Sequence, residues 1–128
     1  MRRWLAALAG AAAVGLLPLP LWSGQGGRLP QRVGECSDTT VQWIGTRLEG
    51  IPDSGSAIEY ANGGTQVSYE MIPGIEQSQV GDSVRLCLES IPADCPPGDD
   101  RGRIYRAANL RTHQSWRAMD SEHSCGGA

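Results

Sequence analysis

The densest group of charged side chains in the sequence follows a pair of prolines in its second half. Asp99 and Asp100, with Asp94 a few residues earlier, supply the oxygen ligands that Ca²⁺ prefers. Their spacing matches no EF-hand loop, and Arg101 and Arg103 would compete for the carboxylates, which favours local Asp–Arg pairs over a metal site. Since exposed, ordered loops often carry binding sites, we take Asp99, Asp100, Arg101 and Arg103 as the candidate binding loop.

A second acidic motif, Asp53-Ser54-Gly55, has the form of the active-site tripeptide of single-domain aspartic proteases. Those enzymes dimerise so that two carboxylates share one proton. Pro52 stands where that family has an apolar strand residue, and the family's second signature is not evident. The same tripeptide is common in turns, because Asp caps its own backbone and Gly takes a positive φ. A turn is the favoured interpretation, and a dimeric protease acting through Asp53 is kept as an alternative.

The two histidines of the chain, His113 and His123, offer few further catalytic arrangements. A Ser/His/Asp set could combine Ser54 or Ser115 with His113 and Asp120. No Gly-x-Ser-x-Gly elbow places such groups together, and no phosphate-binding glycine loop occurs. We therefore predict no catalytic residue and no cofactor.

The four cysteines, Cys36, Cys87, Cys95 and Cys125, form an even set in a small chain, which indicates two disulfides. Three pairings are possible. We expect Cys87–Cys95, which closes a short proline-rich loop, and Cys36–Cys125, which joins the two ends of the domain. A metal site that uses His123 and Cys125 is the alternative. It is disfavoured because no Cys-x-x-Cys pair is present and free thiols oxidise outside the cytoplasm.

The N-terminal segment has the organisation of a secretory signal. Arg2 and Arg3 precede an uncharged run from Trp4 to Trp22, and small polar residues follow. We expect cleavage near Gly27. An uncleaved membrane anchor is the alternative, because the run approaches the roughly 18 residues of a membrane span. In either case the remainder is predicted to be periplasmic or secreted.

Composition limits the classes of partner. The chain of 128 residues has room for one domain, and its 17 Gly and 8 Pro suit turn-rich β structure. After residue 26, 9 Arg face 14 acidic residues, so this part has a net charge of −5. A domain of that sign has no electrostatic reason to bind nucleic acid or anionic lipid, so we expect membrane contact only through an uncleaved signal segment. The predicted organisation is a signal peptide (residues 1–26), a linker (27–35) and a β domain (36–128).

Alternation of apolar and polar residues predicts several strands. The clearest signal is a hairpin over residues 56–71, because Asn62-Gly63-Gly64 suits the positive φ of a tight turn. Further strands are predicted over residues 41–49, 84–91, 103–110 and 115–119, with a long loop over 92–102. The expected fold is all-β: a small antiparallel barrel or sandwich joined by two disulfides, after an N-terminal signal helix.

Two of these strands allow predictions about which side chains share a face. In the strand over residues 41–49, Val41, Trp43 and Gly45 are expected on one face and Ile44 on the other. In the strand over residues 84–91, Cys87 is expected to point away from the apolar face, which comprises Val84, Leu86 and Leu88.

Residues 81–87, 95–105, 109–112 and 120–128 resemble a family of small bacterial exported proteins, with a likeness that covers most of residues 33–128. This chain and the proteins of that family both end in the sequence Cys-Gly-Gly-Ala. This resemblance implies export and no particular activity.

A fainter resemblance is to the periplasmic inhibitors of C-type lysozyme, which are small disulfide-bonded β-barrels. It is carried by Gly102-Arg103-Ile104-Tyr105, Trp116 and Cys125, although Arg101 stands where that family has Ser. It implies inhibition of a wall-degrading enzyme. Taken together, we expect a non-enzymatic binding domain whose partner is an envelope or extracellular macromolecule, with an inhibitor and the Asp53 protease as alternatives.

Overall fold

The structure is a computed structural model that describes residues 27–127. The predictions for residues 1–26, a signal peptide or an anchor, lie outside the described residues. Within residues 27–127, no helix has the length and apolar character needed to cross a membrane. The described elements are β1 (Cys36–Thr46), β2 (Ser56–Tyr60), β3 (Thr65–Ser68), α1 (Pro73–Glu76), β4 (Ser83–Ser90), β5 (Ile104–Asn109) and β6 (Ser115–Met119).

The six strands form a closed antiparallel barrel in the order β1-β2-β3-β6-β5-β4. This confirms the all-β prediction. One apolar cluster forms the core. Every strand except β3 contributes inward-facing residues to it, and the short helix contributes one isoleucine. Its members are Val41, Ile58, Tyr60, Ile75, Val84, Leu86, Leu88, Tyr105, Ala107 and Trp116. Helix α1 packs against β1, β2 and β6, and its Ile75 is completely buried. The helix thus contributes Ile75 to the core.

The predicted hairpin is confirmed, although β3 ends at Ser68 rather than at residue 71. Gly63 has a φ of 87°, and the Asn62 side chain accepts a hydrogen bond from the Gly64 amide at 3.0 Å. The Tyr60 amide donates to the Gly64 carbonyl at 2.8 Å, which closes the turn. Asn62, Gly63 and Gly64 therefore form the tight turn that asparagine and glycine favour.

Strand β1 differs from the prediction because it contains a bulge. The register shifts between Val41 and Trp43, so Gln42 is an extra residue relative to β2. Val41 is buried and Ile44 packs against the core, whereas Trp43 is 39% exposed. The prediction that Val41 and Trp43 share a face is wrong, since one inserted residue reverses the alternation that follows it.

The core contains a polar side chain, Gln66, that is completely buried on β3. Its oxygen accepts hydrogen bonds from the Tyr60 hydroxyl at 2.5 Å and from Trp116 Nε1 at 2.9 Å. Its nitrogen donates to the carbonyls of Tyr105 at 2.7 Å and Ala118 at 3.2 Å. Burial raises the pKa of the Tyr60 hydroxyl. A buried polar side chain of this kind is tolerated because its oxygen and its nitrogen both have hydrogen-bond partners.

Both disulfides form, but the expected pairing is wrong. The bonds are Cys36–Cys87 and Cys95–Cys125. Cys36 lies directly opposite Cys87 in the β1–β4 pairing, where side chains point to the same face. The outward direction of Cys87 is confirmed, because Val84, Leu86 and Leu88 are buried and Cys87 is not. Two disulfides indicate an oxidising environment outside the cytoplasm.

The segment before β1, predicted as a linker, lies along the barrel. Pro30 is buried and Leu29 packs against the core. The Gly34 amide donates to the Leu88 carbonyl, and the Leu88 amide donates to the Glu35 carbonyl, both at 2.9 Å. These bonds extend the contact between β1 and β4 beyond Cys36.

Candidate functional site

The candidate binding loop connects β4 to β5 and is held against the C-terminal tail. Cys95 in the loop is bonded to Cys125 in the tail, and the Cys125 amide donates to the Arg101 carbonyl at 2.8 Å. Directly before β5, the Arg103 carbonyl accepts a hydrogen bond from the Asp120 amide at 2.9 Å. Loop and tail therefore form one unit, which the barrel strands β5 and β6 position.

Asp99 is the centre of this unit. Its carboxylate accepts hydrogen bonds from Arg101 Nε and Nη2, both at 2.9 Å, and from the Gly126 amide at 3.0 Å. The Arg101 guanidinium, helped by the Gly126 amide, holds the pKa of Asp99 well below its usual range. Asp99 in turn raises the pKa of Arg101. The local Asp–Arg pair that the sequence favours over a metal site is present, and it also binds the tail.

Gly102 completes the connection between loop and tail. Its φ is 106°, and its amide donates to Asp120 Oδ1 at 2.8 Å. A Cβ at this position would lie 2.5 Å from Ser124 Oγ, so the close approach of the tail requires glycine.

A shallow, open cleft of about 520 Å³ lies between the loop and the tail. We call it the loop–tail cleft. Its lining residues are Gly98, Asp99, Asp100, Arg101, Asp120 and Ser121. Three of the four residues taken as the candidate loop therefore line one cleft. Arg103 does not, and its Nη1 lies 3.4 Å from the Gln31 side-chain oxygen.

Asp100 differs from the other acids of the cleft. It is exposed, and within the described residues its carboxylate makes no hydrogen bond or ion pair. Asp99 is occupied by Arg101 and the tail, and Asp120 is occupied by Gly102. Asp100 is therefore the carboxylate most available to a partner.

The sequence did not identify Asp120, Ser121 and the tail as part of this site. Ser121 Oγ donates to the His123 carbonyl at 2.6 Å, which holds the tail in a turn beside the cleft. The pairing of Cys95 with Cys125 is the signal that would have brought the tail to the loop. The expected pairing, which rests on a short proline-rich loop and on a bond between the two ends of the domain, does not connect the tail to the loop.

Next to the cleft, the tail contacts an exposed aromatic residue. The Arg47 guanidinium lies 4.0 Å from the centre of the Tyr69 ring, and its Nη1 is 3.3 Å from Glu122 Oε1. His123 Nε2 lies 3.4 Å from the Tyr69 hydroxyl. Neither Tyr69 nor Glu122 belongs to a functional motif, so nothing in the sequence marks them as candidate site residues.

The groups considered for catalysis are not brought together. His113 lies exposed in the turn between β5 and β6, with a φ of 61°, whereas Asp120 follows the far end of β6. The six residues between them, five of which form β6, place these side chains roughly 20 Å apart along a strand. Ser54 lies in the β1–β2 turn and donates to the Ile51 carbonyl at 2.7 Å.

Asp53 occupies a turn, as the favoured interpretation of its tripeptide predicts. It is exposed and has a φ of 57°, and the β1–β2 turn contains it. For the alternative metal site, the Cys125 sulfur is bonded to Cys95 and is not a free thiolate ligand.

Comparisons with protein-family models, with curated proteins and with solved structures find no match.

Proposed function

We propose that this chain is an exported, non-enzymatic interaction domain of the cell envelope, periplasmic or secreted, that binds a macromolecular partner through the loop–tail cleft. The observation that carries the proposal is the fixed geometry of the cleft. Asp99 receives hydrogen bonds from Arg101 in the loop and from Gly126 in the tail, and the Cys95–Cys125 disulfide joins the same two segments. A surface that is ordered before binding loses little conformational entropy when a partner binds.

Charge gives the cleft its selectivity. Asp100 is exposed and available, and the described region carries a surplus of acidic residues. Such a surface attracts positively charged groups and raises the association rate of a basic partner. The separation of His113 from Asp120 supports binding rather than acid–base catalysis.

Inhibition of a wall-degrading enzyme is one form of this function. It is the form implied by the resemblance to the periplasmic inhibitors of C-type lysozyme. Of the residues that carry that resemblance, Tyr105 and Trp116 are buried in the barrel and Gly102 supports the tail. These residues therefore have structural roles and do not form a protruding inhibitory loop. The cleft begins directly before Gly102, so any inhibitory contact would involve Asp100 and Arg101.

The test is affinity capture from an envelope extract with the disulfide-bonded protein, followed by the same capture with variants. We expect Asp100→Arg to reduce recovery of the partner at least about tenfold, since like charges at an interface strongly disfavour association. Glu59→Arg, which makes the same charge change at an exposed position on β2, is the matched control and should bind as the parent does. Equal recovery by both variants would overturn the proposal.

A second measurement separates the inhibitor from other partners. The parent protein is added to a C-type lysozyme during cell-wall digestion. Inhibition that Asp100→Arg abolishes and Glu59→Arg retains would assign the enzyme as the partner. Unchanged digestion would direct the search to the proteins recovered by capture.

A further inference from the structure

A second exposed surface of the barrel carries apolar side chains that the fold does not use. Leu48, Ile51 and Tyr69 are 43%, 53% and 55% exposed. Leu48 and Ile51 belong to the β1–β2 turn, and Tyr69 directly follows β3. We call these three residues the turn face. Exposed large apolar residues are ordinary when scattered, so their placement together decides whether they matter.

The turn and Tyr69 are neighbours in space. Gly55, at the end of the turn, approaches the end of β3 so closely that a Cβ there would lie 2.0 Å from the Ser68 carbonyl oxygen and 3.0 Å from Tyr69 Cα. Its φ of 116° also favours glycine. Arg47, at the start of the turn, places its guanidinium over the Tyr69 ring. Both ends of the turn that carries Leu48 and Ile51 therefore lie beside the end of β3 and Tyr69.

The turn face is held in one conformation. Ser54 Oγ donates to the Ile51 carbonyl at 2.7 Å and accepts from the Leu48 amide at 3.1 Å. Arg47 Nε donates to the Ser54 carbonyl at 2.6 Å. The Arg47 side chain is 16% exposed and pairs with Glu122. One face of the Tyr69 ring is thus covered by a fixed group, and Tyr69 as a residue is still more than half exposed.

The border of the turn face is acidic. Glu49 and Glu70 are exposed and directly follow Leu48 and Tyr69 in the chain, and the exposed Asp53 is two residues after Ile51. Arg47 is the cation beside them, and Glu122 neutralises it. An apolar centre with a carboxylate border complements a partner that presents apolar residues among Lys or Arg. The same border repels an anionic lipid surface.

We infer that the turn face binds a positively charged segment of a protein partner, with an apolar side chain of that partner packed on Tyr69. Tyr is among the residues that most often dominate binding energy at protein interfaces. The inference rests on the proposed function in taking the chain as an interaction domain, but it concerns a surface separate from the loop–tail cleft. Because residues 120–123 border both surfaces, one partner can cover both.

The test uses the isotope-labelled, disulfide-bonded protein and a synthetic amphipathic peptide of leucine and lysine, followed by NMR. We expect amide shifts at residues 47–55 and 69–70. Tyr69→Ala and Ile51→Ser should each weaken the peptide's affinity, Tyr69→Ala by about tenfold. Leu110→Ala, at a residue that is also 53% exposed but lies in another turn, is the matched control and should leave the affinity unchanged. Two variants at different positions guard against a local unfolding of either one.

Charge is tested with a leucine and glutamate peptide of equal length and with phosphatidylglycerol vesicles, neither of which should bind. Glu49→Lys should weaken binding of the lysine peptide, whereas Glu76→Lys, on α1, should not.

Equal affinity of Tyr69→Ala and the parent, or preferential binding to the vesicles, would overturn the inference. Shifts confined to residues 98–101 and 120–121 would also overturn it while leaving the proposed cleft intact. Conversely, shifts at the turn face together with unchanged capture by Asp100→Arg would retain the turn face and reject the cleft.

Discussion

Arg111 forms a two-point ion pair with Asp82, in which Nε and Nη2 donate to the two carboxylate oxygens at 2.7 and 3.0 Å. Asp82 also accepts hydrogen bonds from the Gln79 amide and from the Asn109 side chain. Its side chain is only 6% exposed. The Arg111 hydrogen bond, opposed by burial, lowers the pKa of Asp82 to about 2. The pair ties the connection before β4 to the turn after β5.

Replacing Asp82 with Asn is expected to lower the free energy of unfolding by about 2 kcal/mol at neutral pH, because hydrogen bonds to charged groups contribute about 1.5–3 kcal/mol. Since the folded pKa lies below the unfolded one, this stability is present above the usual value of 3.8 and is lost as pH falls toward about 2. Urea unfolding over that range should show a weaker pH dependence in Asp82→Asn. Asp53→Asn, at an exposed Asp, is the control, and equal pH dependence of Asp82→Asn and the parent would contradict the assignment.

Replacing Gln66 with Leu is expected to destabilise the barrel by about 3 kcal/mol. The Tyr60 hydroxyl and the Trp116 nitrogen would be left without their acceptor inside the core, and an unsatisfied buried group costs about 1–3 kcal/mol. Adding Tyr60→Phe should recover part of the loss, because it removes one unsatisfied donor. Gln79→Leu, at an exposed position, should change little in the same urea titration. An additive loss in the double variant would argue against a shared acceptor.

The two disulfides are expected to protect different parts of the molecule. Replacing Cys95 and Cys125 with Ser should accelerate hydrogen exchange at residues 92–103 and 120–127, because the bond joins a loop to a tail outside the barrel. Replacing Cys36 and Cys87 should instead accelerate exchange in the strands β1 and β4 that the bond joins. It should also lower the free energy of unfolding by about 4 kcal/mol, because the bond restricts the unfolded chain over a separation of 51 residues. Mass spectrometry of exchanged peptides distinguishes the two patterns. A global change in both variants would show that loop, tail and barrel unfold as one unit.

Asp99 and Asp100 are adjacent acids with different expected effects. Asp99→Ala removes the acceptor of Arg101 and Gly126, so the tail should be cut faster by a protease under native conditions. Asp100→Ala should leave the cleavage rate unchanged, because its carboxylate points to solvent. Time courses of limited proteolysis give the comparison. Similar rates in the two variants would mean that the disulfide alone holds the tail.

Local rules were enough to predict most of the barrel. The turn chemistry of Asn62-Gly63-Gly64 and the alternation around Leu86 depend on neighbouring residues, and both were predicted correctly. The bulge at Gln42 was not predictable, because nothing in the alternation of β1 marks an inserted residue. The inward direction of Gln66 was also missed, since its burial depends on Tyr60 and Trp116, which other strands supply.

The candidate site was predicted in part for the same reason. Asp99, Asp100 and Arg101 stand out as a charged run within the sequence, and all three line the cleft. Asp120 and Ser121 come from a segment about twenty residues away, and only the barrel and the Cys95–Cys125 bond bring them there. Contacts between distant segments of this kind leave no local trace in the sequence.

The pairing of β1 with β4 sets the contact order of the domain. Cys36 and Cys87 are 51 residues apart, and the hairpin of β2 and β3 lies between them. Loop closure over such a separation slows folding, whereas the hairpin can form from adjacent residues. Once Cys36 and Cys87 are oxidised, the two strands remain tethered through every unfolding event. Refolding then no longer requires that long-range encounter, which favours recovery of the barrel outside the cytoplasm, where the thiols stay oxidised.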